Sequence, residues 1–146
     1  MREILFRGKP VERFLTQMRI TNQWDENGYV YGSLIVSDDR CYICTFAICY
    51  AKTITTNGIA TMVEVIPETV GQFTGFKDCN RKMIYEQDIV YEGCNGFVGV
   101  VEWCDKLGTY RLKGLGEDYV IKDAEIEWEV IGNIHDNSEL LKGQEK

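Results

Sequence analysis

Three Asn-Gly dipeptides, Asn27-Gly28, Asn57-Gly58 and Asn95-Gly96, each stand between runs rich in β-branched and aromatic residues. Asn-Gly tolerates the two positive φ values of a type I′ turn, which makes it the strongest short hairpin signal a sequence carries. The chain has 14 glycines and only 2 prolines, which suits tight turns between short strands more than long helices. A chain punctuated this way folds into antiparallel sheet.

The strands follow from the runs between the turns. Ile4-Leu5-Phe6 reads as a first strand, Gly28–Val36 as a second, Cys41–Lys52 as a third and Ile59–Ile66 as a fourth. Thr53–Gly58 is the expected hairpin between the last two. Val11, Phe14, Leu15 and Met18 recur at i, i+3, i+4 and i+7, so one helix of about three turns is expected at about 10–20, opened by Pro10. Pro67 marks a break, and the expected division is an N-terminal unit over 1–68 and a C-terminal unit over 69–146. In the second, Ile89–Tyr91, Phe97–Trp103, Thr109–Leu112, Asp118–Ile121 and Trp128–Ile134 give five short strands. Packed so closely, they favour a small, strongly bent SH3-like β-barrel, with Gly99 at a bend. The fold class expected is α+β, mainly β. Residues after Ser138 read as a polar tail.

Charge narrows function. Formal net charge is −7, from 16 basic and 23 acidic residues. Residues 1–68 hold 7 and 8 of these and residues 69–146 hold 9 and 15, so the halves carry −1 and −6. Nucleic-acid binders usually carry a basic footprint that this chain lacks, although Arg2, Arg7, Lys9, Arg13 and Arg19 gather near the start. The opening Met1–Arg7 has charge where a secretion signal needs an apolar run, and the longest apolar run, Cys41–Ala51, is too short for a membrane span. These features imply a cytoplasmic protein with reduced thiols.

Six cysteines, Cys41, Cys44, Cys49, Cys79, Cys94 and Cys104, form no metal motif. Cys41 and Cys44 are three apart in a strand, hence on opposite faces, and the single histidine, His135, supplies no pair. No nucleophile–base pair is apparent, because His135 is the only candidate base and lies in a terminal loop. Asp38-Asp39 and Glu117-Asp118 suit turns. Asp123, Glu125, Glu127 and Glu129 alternate with apolar residues, as one acidic and one buried strand face would. The expected set is no catalytic residues, no metal and no cofactor. Trp24, Tyr29, Tyr31, Trp103, Tyr110 and Trp128 are many aromatics for this length; most are expected in the core, and an exposed subset would suit peptide or strand binding.

Thr69–Asp88 places Gly71 and Gly75 around a polar turn, then a charged loop over Lys77–Lys82, then the start of a strand at Ile89. With Met1–Lys9, Gly28–Leu34, Ile84–Val90, Val98–Trp103 and Glu129–Asn137, this stretch resembles YopX-like phage and prophage proteins along nearly the whole chain. Two features depart from the pattern: the helical Val11–Ile20 segment is inserted, and Gln87 stands where the family commonly has Gly. The resemblance implies a phage-encoded, largely β protein whose molecular activity is not established, and brings no catalytic residues with it. Gly71, Gln72, Thr74, Gly75, Tyr85, Asp88, Trp103, Gly132 and Asn133 carry the signature and read as structural. The function expected is protein–protein interaction with an unknown phage or host protein, together with homo-oligomerisation, in the host cytoplasm. Nucleic-acid binding through Arg7, Lys9 and Arg13 is the alternative.

Overall fold

A computed structural model describes residues 1–13, 27–47, 59–114, 118–121 and 124–142. The chain forms two compact units, Ile4–Gln72 and a second made of Met1–Glu3 with Phe73–Lys146.

In the first unit, β1 (Phe6–Gly8), β2 (Val30–Ser37), β3 (Arg40–Ala47), β4 (Ile59–Val65) and the start of β5 (Gly71–Lys77) lie in the order β4-β3-β2-β1-β5, all antiparallel. Alternation sets the core: Leu34, Ile43 and Val63 stand opposite one another, as do Cys41 and Val65, while Val36 at the strand end is exposed. Ile43, Val63 and Val65, together with Val30, are fully buried and make the cluster against which Phe6, Leu34, Cys41 and Val70 pack. Asp38-Asp39 is the hairpin turn expected, with Asp38 in the left-handed region at φ 53°. Pro10 makes an isolated bridge to Val65, flanked by bonds from the Val11 N–H to the Glu64 carbonyl and from the Ile66 N–H to the Lys9 carbonyl. The helix expected over 10–20 lies outside the described residues from residue 14 onward, as does the hairpin expected over Thr53–Gly58.

In the second unit, all five expected strands form: β7 (Asp88–Glu92), β8 (Phe97–Cys104), β9 (Thr109–Lys113), β10 (Asp118–Val120) and β11 (Trp128–Asn133). Their order is β10-β9-β8-β7-β11, an antiparallel meander whose last strand returns beside the first. Ile84, Val90, Val101, Tyr110, Leu112, Ile121, Ala124 and Trp128 fill its core. Gly99 is a close approach: a Cβ there would lie 2.7 Å from the Lys113 carbonyl oxygen and 2.9 Å from Leu112. Outside, Arg111 on β9 donates to Glu102 of β8 at 2.9 Å and to Asp118 of β10 at 2.7 Å, a cross-strand ladder of opposite charges.

Three expectations are corrected. Gly71–Gly75 is not a turn: it lies in β5, whose Gly71 and Gln72 pair with β1 and whose Phe73 and Lys77 pair with β6 (Met83–Tyr85). The acidic alternation over 123–130 is not one strand, because Ala124–Glu127 winds into a single helical turn, α1, before β11 begins at Trp128. The expected polar tail begins with another turn of helix, α2 (Glu139–Lys142).

Candidate ligand-binding cleft

Along β8, Phe97, Gly99, Val101 and Trp103 share one face by the two-residue period, and Val101 is fully buried. Trp103 continues that inward row, yet 43% of it is exposed. It stands edge-on to Tyr110 of β9, with ring centroids 5.1 Å apart and planes at 74°. Its indole N–H donates to Asp105 at 3.0 Å, which fixes the ring on the rim. Phe76 of β5 adds a second aromatic, 37% exposed.

These rings border a cleft of about 310 Å³, lined also by Arg2, Thr74 and Gly75. Thr74 is buried and holds the β5 wall: its hydroxyl donates to the Ile84 carbonyl at 2.8 Å and accepts the Phe76 N–H at 3.2 Å. Gly75 has φ 90°, a conformation open to glycine and costly for other residues. The Arg2 guanidinium donates to the Thr74 carbonyl at 3.4 Å. Burial, and then the Glu86 carboxylate, push the Tyr110 phenol above its ordinary range, with Arg2 pulling the other way.

A second hollow of about 400 Å³ shares Gly75 with the first and is lined by Lys77, Asp78, Cys79 and Arg81. Its floor is fixed by Asp78, only 2% exposed, whose carboxylate accepts the N–H groups of Asn80 at 2.9 Å, Lys82 at 2.8 Å and Val130 at 2.9 Å. The expected exposed loop over Lys77–Lys82 is exposed except at Asp78, which pins it as a turn and holds the exposed Arg81 at φ 65°.

Of the nine signature residues, Thr74, Gly75 and Trp103 meet at the cleft. The others serve the backbone. Asp88 accepts the Tyr85 N–H at 2.8 Å, and Tyr85 packs on Phe73. The Asn133 side chain accepts the N–H groups of His135 and Asp136 and donates to Asp136, while Gly132 packs against Asn137. Gly71 and Gln72 are ladder positions. The cations Arg2, Lys77 and Arg81 had no signal as a group, since only folding brings residue 2 beside residues 74–76.

The model of the YopX protein family matches residues 21–142. The chain belongs to the YopX family. Comparison with curated proteins gives no match. Gln87 has φ 71°, a left-handed turn residue, and its side chain lies 2.7 Å from His135. In this YopX-family chain the N-terminal cations are engaged within the first unit. Arg7 is buried over the Tyr29 ring, Lys9 donates to the Asn27 carbonyl at 3.1 Å, and Arg13 pairs with Glu64; Arg19 lies outside the described residues.

The cysteines described, Cys41, Cys44, Cys79, Cys94 and Cys104, are free thiols. Among the described residues, Glu92, Cys94 and Glu127 gather ligand atoms within 4.8 Å of one another. The β7–β8 turn accounts for Glu92, whose oxygens accept the Cys94 and Asn95 N–H groups at 2.9 and 2.8 Å. Desolvation pushes that carboxyl up, but these N–H donors outweigh it and hold it below its ordinary range. The Glu127 hydrogen bond, and then desolvation, push the Cys94 thiol up. No helix among the described residues is long and apolar enough to cross a membrane.

Proposed function

We propose that this protein is a phage- or prophage-encoded accessory protein of the host cytoplasm that acts by binding another protein, with no chemistry of its own, and that the Trp103 cleft is where the partner docks. The observation that carries this is Trp103 itself: an aromatic in the core-facing row of β8 left 43% exposed beside Phe76 and a half-enclosed hollow. Aromatics at the end of a small β unit supply large contact area at low entropy cost, the composition of binding hot spots. The β7–β10 meander, the single turn α1 and the return of β11 onto β7 support reading this unit as an SH3-like barrel.

The test is affinity capture from infected host cells with the intact chain and with Trp103→Ala, folding being checked by circular dichroism. A specific partner retained by the wild type and lost by the folded variant is the expected result. A partner retained equally by both overturns the cleft as its site.

Self-association is the second part of the reading. Ile35 and Met62 lie on the face of β2–β4 opposite the core and are exposed. Exposed apolar side chains on a sheet face favour burial against a second copy. A concentration-independent monomer mass by light scattering removes it. Nucleic-acid binding is the weaker reading, since Arg7, Lys9 and Arg13 are engaged within their own unit.

A further inference from the structure

We infer that the partner segment is an acidic peptide: an apolar residue seated against Trp103 and Phe76, with flanking carboxylates held by Arg2, Lys77 and Arg81. This rests on the cleft being the docking site. Residues 69–146 carry 9 basic and 15 acidic groups, so a cationic lining there runs against the surrounding charge. Yet the two hollows, whose linings share Gly75, are lined by three exposed cations.

The carboxylate in that lining, Asp78, is turned inward onto three backbone N–H groups. Asp105, on the rim, is engaged by the Trp103 indole. The Asp78 turn also fixes the backbone that presents Arg81, in a φ region costly for a non-glycine residue. A guanidinium such as Arg2 or Arg81 matches a carboxylate with two parallel donors.

A single-stranded nucleic acid would also favour aromatics and cations. It needs a cationic track along every phosphate, however, and a unit at −6 repels a polyanion over roughly the Debye length of about 10 Å. A segment with a few carboxylates meets the same repulsion with a smaller total charge and matches three cations.

The experiment uses the ¹⁵N-labelled full chain and four probes. These are an octapeptide with Leu-Phe flanked on each side by two Asp or Glu, its Asn/Gln counterpart, its Lys counterpart, and an oligo-dT octamer. The acidic peptide is expected to shift the Trp103 indole N–H signal and to bind about tenfold more tightly than the amide peptide at about 50 mM salt, the gap closing as salt screens the charges. Replacing Arg2, Lys77 and Arg81 together by Gln should bring the acidic peptide to the amide peptide's affinity. The wild-type salt series decides the matter even where that variant folds poorly. Equal binding of acidic and amide peptides, with the indole shift, overturns the charge assignment and leaves the docking site standing. Preference for the Lys peptide, or for oligo-dT at the indole, overturns it as well. Absence of an indole shift with every peptide overturns the inference and the docking site together.

Discussion

Asp78→Asn is the most informative single change in the second unit. The native carboxylate, 2% exposed, spreads three N–H acceptances over two oxygens: Asn80 and Lys82 on Oδ1, Val130 on Oδ2. Val130 lies 52 residues along the chain, so the third bond ties the Lys77–Lys82 turn to β11. A carboxamide has one acceptor atom. If its oxygen keeps Asn80 and Lys82, its NH₂ meets the Val130 N–H donor to donor; turned over, it meets two donors instead. The loss is one charge-assisted hydrogen bond plus the desolvation penalty of an orphaned buried N–H. These overlap rather than add, giving about 2–3 kcal/mol. With a urea slope of about 1 kcal/mol/M for a unit of this size, the midpoint falls by about 2–3 M. The assay is urea unfolding by tryptophan fluorescence in a Trp24→Phe background, where Trp103 and Trp128 report on this unit. Asp105→Asn, an exposed carboxylate, is the control, expected within about 0.5 kcal/mol of wild type. If Asp78→Asn also stays within about 0.5 kcal/mol, the turn is not held by this carboxylate and the preorganisation of Arg81 loses its basis.

Three further outcomes are expected. Gly99→Ala forces a Cβ to 2.7 Å from the Lys113 carbonyl oxygen, backbone that cannot swing aside, and costs about 2–3 kcal/mol, read as a thermal midpoint lowered by roughly 10 °C; an unchanged midpoint means β8 and β9 relax freely. Because the folded-state Glu92 carboxyl is depressed, its stabilisation is full above the ordinary carboxylate range and is lost as pH falls through the lower folded value. The stability gap between wild type and Glu92→Gln should therefore be widest near neutrality and shrink on acidification, and a gap constant from about pH 7 to pH 3 rejects the turn-capping role. Gln87→Gly relieves a left-handed residue at φ 71° and should raise stability by about 0.5–1 kcal/mol, whereas Gln87→Val should lower it by more than about 1 kcal/mol in the same urea titration; equal effects would mean the turn does not hold that conformation in solution.

What the residues reveal in advance depends on how local the deciding physics is. Phe97–Trp103 is rich in β-branched and aromatic residues and comes after Asn95-Gly96, so β8 follows from the chain alone, as do the other four strands of the second unit between their turn residues. Gly71–Lys77 misleads because Gly, Gln, Thr and Gly have turn composition; pairing with β1 at one end and β6 at the other overrides it. The acidic alternation at 123–130 misleads in the opposite sense. Its period of two fits a strand, yet the Cys79 N–H takes the Trp128 carbonyl and the Gly93 N–H takes the Glu127 carbonyl, contacts from turns roughly 35 to 50 residues away that fix where β11 can begin.

The cleft was less legible for the same reason. Trp103 and Tyr110 sit close in sequence across one turn, so their pairing follows from the hairpin, and Trp103 stood among the aromatics that an exposed subset would draw on. Arg2, Phe76 and Arg81 have no common period or motif. Their convergence depends on the N-terminal residues lying with the second unit and on a buried aspartate holding a loop that composition marks as open. Residues that share a signature across a family are then of two kinds here. Asp88, Gly132 and Asn133 keep turns closed in this chain. Thr74, Gly75 and Trp103 shape a hollow whose cations come from positions outside the signature. In this chain the walls of the hollow and its cations thus come from different residues, and only the walls carried a signal in the sequence.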